Sequence, residues 1–429
     1  MAKKHSKSSV EPKKQTAVTP QVLVPDYLSK FHCIGSDCED SCCIGWDVYV
    51  DRITWRRYQS CQHKTLARLF AGEVVRLDSN NVEAFAIIKK LSDGRCPFLQ
   101  QDMLCIIQKE LGVEALSNVC TKFPRYYNFF GEQRECGLGV SCPEAARLVL
   151  LHPEPLNFIM DELDTNRFKP DNANFRVLIN PENSAFLTEF RALILRILQF
   201  RELTLGARIM TLGLLLHEAN IVVTEPNLKS ISKIGSVLSY VSAMLTNSAA
   251  IESEFNRIPS DLPRKLQIST SFLADNLHKA EPRFKECLLA FIDGLTGGGV
   301  PNLEGGANQM FENYQHGYAN YYLPYFSNKG YILENFLANE VFINLFPFVR
   351  GNYLDQYRAM VFDLTIIQVI LVGMSAHFKG LTDALVVQFI QSFSRQSRHN
   401  NSYIDKLTET LSSNEARSFT EVMWMLKEF

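Results

Sequence analysis

The chain has 429 residues, 46% of them apolar and 11% aromatic, enough material for large cores and for about two or three domains. Its 44 Lys and Arg against 46 Asp and Glu leave a formal net charge of -2, which excludes a bulk electrostatic pull toward nucleic acid or membrane. Any partner has to be recognised through a local site.

Residues 1 to 24 read as a disordered basic tail, with Lys3, Lys4, Lys7, Lys13 and Lys14 among Ser, Thr, Gln and Pro and no apolar run of the kind a signal peptide needs. The most improbable feature follows: ten of the eleven cysteines fall between residues 33 and 142, four of them in the run Cys33-Ile-Gly-Ser-Asp-Cys38-Glu-Asp-Ser-Cys42-Cys43. Without a secretory signal, such a cluster points to metal or catalytic chemistry rather than to disulfides. Gly35, Asp37 and Asp40 allow this loop to curl around an inorganic centre. Gly45 to Asp51 alternates like a strand, a short helix is expected near Thr54, and Phe85 to Ile88 looks like another strand before the turn Ser92-Asp93-Gly94. Cys96 and Cys105 bracket Pro97-Phe98-Leu99, Cys120 precedes Phe123-Pro124-Arg125, and Cys142 lies in Ser141-Cys142-Pro143-Glu144, each following or ending a turn. Adjacent Cys42 and Cys43 are expected to point in different directions on extended backbone, one binding and the other behind it or serving another site. Cys61, Cys136 and Cys287, taken singly, read as buried thiols.

Which metal the sulfurs hold is less determined than that they hold one. Zinc favours four tetrahedral ligands, commonly in two short pairs, whereas an iron-sulfur cluster takes four thiolates at irregular spacing. All-cysteine ligation fits both, with iron-sulfur ahead, and the surplus of thiols leaves room for a second site.

Organisation changes near residue 150. Beyond it, apolar residues recur at three and four along Phe186 to Leu198, Leu203 to Ala219, Ile231 to Leu245, Phe284 to Phe291, Ile332 to Leu345 and Tyr357 to Met374, while the only strand signal is a short piece from Phe175 to Ile179. Pro181 and Asn183 read as turn and cap before the first of these helices. The glycines from Gly294 to Gly306 read as a linker or mobile lid, since the Lys and Ser/Thr of a phosphate loop are missing. The apolar stretch from Leu364 to Met374 is too short to cross a bilayer, so a soluble, cytoplasmic protein is expected. The fold class is therefore mainly α: a cysteine-rich metal-binding N-terminal domain over 25–150 with a few short strands, then an α-helical domain over 151–429.

The ordered series FHCIGSDCEDSCCIGW, CPFL, LCIIQKELG, CTKFPR and SCPEAA, with the later YILENFLANEVFINLFPF, resembles the flagellin lysine-N-methylases, members of a wider group with a CxxxxCC-type zinc- or iron-chelating domain. The resemblance runs from about Pro25 to near the C-terminus. It implies transfer of methyl groups from S-adenosylmethionine to lysine side chains of flagellin by a protein similar to ones that carry a 4Fe-4S cluster; apart from the resemblance, a monomer without nucleic acid or membrane as partners is expected. The family's cysteine motifs fall on Cys33, Cys38, Cys42, Cys43, Cys96, Cys105, Cys120 and Cys142, and they do not say which four bind.

A lysine ammonium has no lone pair and an ordinary pKa of about 10.4, so acidic, phenolic or desolvating groups should line the site. The segment Tyr314 to Tyr325 is dense in tyrosine and leads into an apolar helix bearing Glu334, Asn335, Asn339 and Glu340. Tyr321, Glu334 and Glu340 are the candidate catalytic residues there, and Tyr318 and Asn335 the candidate S-adenosylmethionine contacts, through aromatic faces suited to a sulfonium; core packing explains clustered Tyr equally well. No strand leads into G-x-G-x-x-G and no C-x3-C-x2-C occurs, so neither a Rossmann-like nor a standard radical S-adenosylmethionine site is expected. The rival reading is a zinc-stabilised module that binds flagellin or its chaperone without catalysis.

Overall fold

The structure, a computed structural model, describes residues 21–163, 173–179, 181–224, 230–298, 306–349, 352–398 and 419–427. All but the last four residues of the expected basic tail lie outside these, and those four begin the first strand. The chain is mainly helical, as its periodicity implies, with two sheets in its N-terminal part.

The larger sheet combines β1 (Gln21–Pro25) with strands from further along the chain. The smaller is formed by β2 (Val48–Val50), β3 (Val74–Arg76) and β4 (Ala86–Ile88), antiparallel in the order β2-β4-β3. Between its strands run α1 (Arg52–Gln59) and α2 (Lys64–Glu73), and beyond it α3 (Ile106–Leu111) and α4 (Asn118–Lys122). One carboxylate fastens two of these helices: Asp51, 5% exposed, accepts from Thr54 N at 2.9 Å as the cap of α1 and from Asn118 N at 3.2 Å at the start of α4. This small layer has its own core of Val48, Val50, Tyr58, Leu66, Phe70, Ile88, Phe98 and Ile107.

The hairpin β5 (Arg125–Phe130) and β6 (Gln133–Leu138) turns at Gly131, whose φ of +59° suits glycine. With α5 (Pro143–Leu150), β7 (Phe158–Glu162) and β8 (Phe175–Val177) following, the larger sheet takes the order β7-β1-β6-β5-β8. The helices of the second part follow, α6 (Pro181–Leu198), which reaches the sheet through Arg191 on Glu135, then α7 (Leu205–Thr224), α8 (Ser230–Met244), α9 (Ser248–Arg257), α10 (Leu262–Leu277) and α11 (Pro282–Thr296). Then come α12 (Gly306–Gly317), a π-helical turn at Tyr318–Tyr322, α13 (Leu323–Phe326), α14 (Tyr331–Ile343), α15 (Tyr353–Phe378), α16 (Asp383–Arg398) and a final 3-10 segment, Phe419–Leu426. The strands and α5 share one core with these helices. The cores therefore divide between the small layer, residues 48–120, and everything else, not near residue 150, because the β5/β6 hairpin buries its apolar face on α14.

Three expectations change. Pro181 and Asn183 belong to the first turn of α6 rather than preceding it, and proline is well placed there because its missing N–H has no partner to lose. Gly294 is helical, inside α11, while Gly297 ends that helix in the left-handed region; Gly299 and Gly305 lie outside the described residues. And α15 is longer than its central apolar run: by length and composition it could cross a bilayer, but 78% of its most apolar window is buried inside the fold, which marks it as the core helix.

Glycines set the closest helix crossing. A Cβ on Gly294 of α11 would lie 1.9 Å from Gly373 O of α15, and one on Gly373 would lie 2.4 Å from Phe291 Cδ2. The two backbones touch because neither residue has a side chain. Gly294→Ala should therefore force the helices apart and cost about 1–3 kcal/mol or more in denaturant unfolding; an unchanged midpoint would contradict this crossing.

Candidate functional site

The cysteine run lies between the small layer and the helical layer. Gly35–Asp37 forms one 3-10 turn and the chain turns again at Cys42-Cys43, where Ile44 N bonds back to Ser41 O at 3.3 Å. Because this backbone is turned and not extended, Cys42 and Cys43 do not diverge as alternation would have it: their sulfurs hydrogen-bond and both face one cavity. Cys96 enters through its N–H on Cys43 O at 2.8 Å, Cys105 stands at the start of α3, and Cys120 lies within α4 rather than at a turn.

Five of the eight candidate thiols, Cys42, Cys43, Cys96, Cys105 and Cys120, line this cavity of about 640 Å³. Four of them act on one another electrostatically: Cys42, Cys105 and Cys120 on Cys96, and Cys42 and Cys105 on Cys120. Burial, reinforced by the neighbouring thiols, pushes Cys96 up to about 12; burial does the same for Cys120, against a hydrogen bond from Ser117. Burial also raises Cys105, opposed by the backbone N–H groups of Gln108 and Ile107. The hydrogen bond to Cys43 and then burial raise Cys42, and Arg395 alone among its named neighbours in side-chain charge opposes this. Cys38 and Cys142 form a neighbouring pair, Cys142 at the start of α5 pushed up to about 12 by burial, and Cys33 is exposed. Cys136 and Cys287 are buried thiols, as expected, and Cys61 is half-buried.

Among the described residues no three His, Cys, Asp or Glu side chains are already grouped closely enough to hold a metal ion. The donor set nonetheless fits a soft-metal centre in kind: sulfurs from four separate stretches share one cavity, and Cys96, Cys105 and Cys120 each feel at least one neighbouring thiol that disfavours their ionised form, a repulsion that a cation would reverse. A buried oxygen points the same way, since the Tyr58 hydroxyl in the cavity wall has no hydrogen-bond partner.

Helix α16 holds the cysteine loop. The Arg395 side chain, 4% exposed, gives one Nη to Asp40 Oδ1 at 2.6 Å and Ser41 O at 3.3 Å, gives the other to Ile44 O, and lies over the Trp46 ring at 4.6 Å. Gln391, one turn earlier, donates to Asp40 Oδ2 at 2.8 Å and Ser141 O at 2.9 Å, while Glu39 is gripped by Arg147 and Arg283. Gly45 has a φ of +98°, and a Cβ there would meet Glu281 Oε2 at 2.6 Å, so glycine is required for both conformation and space. Trp46, Asp47, Tyr49, Lys90, Glu281 and Gln396 complete the outer part of the cavity. Sequence reasoning missed Arg395, Glu281 and Tyr58, which lie far along the chain from the cysteine run or inside an ordinary-looking helix.

The other candidates are placed elsewhere, and none lines the thiol cavity. Glu334 is 1% exposed and held by Arg201, with Nη2 at 2.9 Å from Oε1, and by Arg208, at 2.7 Å from Oε2. Asn335 donates to His152 O at 2.5 Å, Asn339 donates to Leu138 O at 3.0 Å and accepts from the Tyr27 hydroxyl, and Glu340 accepts from Asn344 at 2.9 Å. These contacts fasten α14 to the sheet, to α5's following loop and to α7. Tyr318 stacks on Tyr322 with centroids 5.6 Å apart in the π-helical turn, and Tyr321 meets His316 edge-on.

More than half of the chain, residues 191–425, matches the family described as FliB lysine N-methylase C-terminal domain. The chain belongs to this family. It is 33% identical over 135 residues to a lysine-N-methylase of Salmonella typhimurium (strain LT2), a stretch covering 32% of this chain and 34% of that protein. It is equally similar over 135 residues to the flagellar biosynthetic protein FliU of Salmonella muenchen, covering 32% of this chain and 80% of that one. A lysine-N-methylase of Salmonella choleraesuis (strain SC-B67) is 32% identical over 135 residues, again 34% of its length. The matched stretch thus spans about a third of the lysine-N-methylases. No solved structure matches the chain.

Two outcomes follow. Arg395→Lys keeps the charge but loses the planar fork. It should raise the reactivity of the cavity thiols toward a thiol reagent about tenfold, the equivalent of about 1.4 kcal/mol of local opening, with the main unfolding transition little moved; unchanged reactivity would contradict the clamp. Glu334→Ala leaves Arg208 buried and unpaired and should cost about 3–5 kcal/mol in denaturant unfolding, whereas a residue used only in catalysis would leave stability intact.

Proposed function

We propose that this protein transfers methyl groups from S-adenosylmethionine to lysine side chains of flagellin in the cytoplasm, with Cys42, Cys96, Cys105 and Cys120 holding a 4Fe-4S cluster. The observation that carries the reading is the cavity that these four thiols line, in a chain of the lysine N-methylase family; flagellin as the acceptor draws on the flagellar name of one relative. When bound, such a cluster supplies redox-active iron at a sulfur-lined wall.

The remaining roles fall to the chain itself. At about 640 Å³ the cavity is within the range of small-molecule sites, roughly 300–1,000 Å³, so it has room for a ligand beside an inorganic centre. The faces of Trp46, Phe98 and Phe123 suit a sulfonium, at about 0.5–2 kcal/mol each. Asp47 and Glu281, carboxylates of the outer wall, meet the incoming lysine as an ammonium. Beyond them the aromatic and sulfur-lined interior strips its water and disfavours the charged form. The lysine Nζ then gives its proton to a Glu281 carboxylate oxygen and its lone pair bonds the sulfonium methyl carbon, whose C–S bond breaks with the electron pair left on sulfur as a neutral thioether. Glu334, Asn335 and Glu340 serve the placement of α14, and the tyrosines of the π-helical turn serve packing.

Zinc at the same thiols is the second reading, favoured by the all-sulfur donor set, which zinc also accepts. Oxygen-free protein incubated with S-adenosylmethionine and flagellin should methylate flagellin lysines, each step replacing an N–H hydrogen by CH₃ and read by mass spectrometry as the net gain of one CH₂, and Glu281→Gln should lower the rate by about 10²-fold. Unmodified flagellin together with zinc in place of iron would favour the binding module.

A further inference from the structure

The Tyr58 hydroxyl is a polar group of the cavity wall that finds no hydrogen-bond partner among the described residues. Tyr58 is 3% exposed, and its oxygen is buried with no hydrogen-bond partner among the described residues. Its position is fixed from two sides. The ring stacks on Phe70 of α2, centroids 3.9 Å apart and planes 6° from parallel, and Phe70 in turn packs on Phe98 at 5.3 Å. The helix that carries it, α1, is capped by Asp51, the same carboxylate that holds the start of α4, and α4 carries Cys120. The phenol is thus placed rigidly opposite the thiols, and Cys120 and Cys105 are the charges that act on it most, after burial itself.

Leaving a hydroxyl buried and unpaired costs about 1–3 kcal/mol, and a phenylalanine would pack against Phe70 equally well. A hydrogen donor kept here at that cost has an acceptor when the cavity is filled. Among the groups that act on it the strongest are the sulfurs of Cys120 and Cys105, and sulfurs are poor acceptors as neutral thiols and good ones as anions bound to a metal.

We infer that the Tyr58 hydroxyl donates a hydrogen bond to an anionic sulfur of the centre held by Cys42, Cys96, Cys105 and Cys120, and that Tyr58 is a positioning residue which sets the reduction potential of that centre. The inference rests on the proposed cluster. A hydrogen bond to sulfur withdraws electron density and favours the more negative, reduced state, so its loss lowers the potential.

The test uses the full chain purified without oxygen, as wild type and as Tyr58→Phe, with iron and sulfide content and the midpoint of a spectroscopic redox titration as readouts. Tyr58→Phe is expected to fold, to carry iron as the wild type does, and to show a midpoint shifted to more negative potential. A folded but iron-poor variant also supports the bond, since only a group touching the centre would weaken its retention when an oxygen without a protein partner is removed. An equal or more positive midpoint at full iron content overturns the inference. So does a variant that fails to fold, because that requires the hydroxyl to have a partner in the protein. Wild type devoid of iron overturns the cluster reading itself, which separates the two failures.

Discussion

A single buried guanidinium joins the two halves of this protein. Arg395 of α16 binds Asp40, Ser41 and Ile44 on the cysteine loop and covers Trp46 at 4.6 Å, so the helical layer holds the wall from which Cys42 enters the cavity. A charge at 4% exposure is tolerable because both of its Nη groups are occupied. Around it Gln391, Arg283, Arg147 and Glu39 form one continuous network. The consequence is functional. Residues 191–425, where the family match lies, do not merely follow the thiol region but supply part of its cavity through Glu281, Arg395 and Gln396.

The same logic explains the polar residues of α14. In sequence, Glu334, Asn335, Asn339 and Glu340 on an apolar helix near a tyrosine cluster look like catalytic groups. In the fold, α14 lies between the sheet and α5, α6 and α7, where its polar positions answer the unpaired carbonyls and arginines of its neighbours: Leu138 O, His152 O, Arg201 and Arg208. Most of these buried polar groups are satisfied, Asn335 Oδ1 being an exception, and removing one partner strands the other. A functional pocket and a satisfied core share the same composition, and only the partners distinguish them.

Much of the architecture was legible in the chain. Period-3.6 patterning located α6, α7, α8, α14 and α15 to within a few residues, and alternation located β2 and β4. The strands β1, β3, β7 and the β5/β6 hairpin do not show in the sequence pattern; for β1 and β7 the reason is that partners distant in sequence specify them, β1 pairing with Glu135 and with Phe158 to Glu162. The cysteines announced the site by their density, but turned backbone at Cys42-Cys43 overrode the alternation expected there. The walls that complete the cavity could not be read, since Tyr58 looks like any helical core residue and Arg395 like any surface charge until the fold brings them to the sulfurs.

The central claim is that four thiols from separate stretches close on one inorganic centre. Iron and acid-labile sulfide, measured per chain in protein purified without oxygen, test it most directly when Cys96→Ser and Cys120→Ser are set beside Cys33→Ser. The account predicts about four irons and four sulfides in the wild type, as a cubane cluster requires, retained in Cys33→Ser and lost from both of the others. Equal iron in all three variants, or none in the wild type, would contradict it.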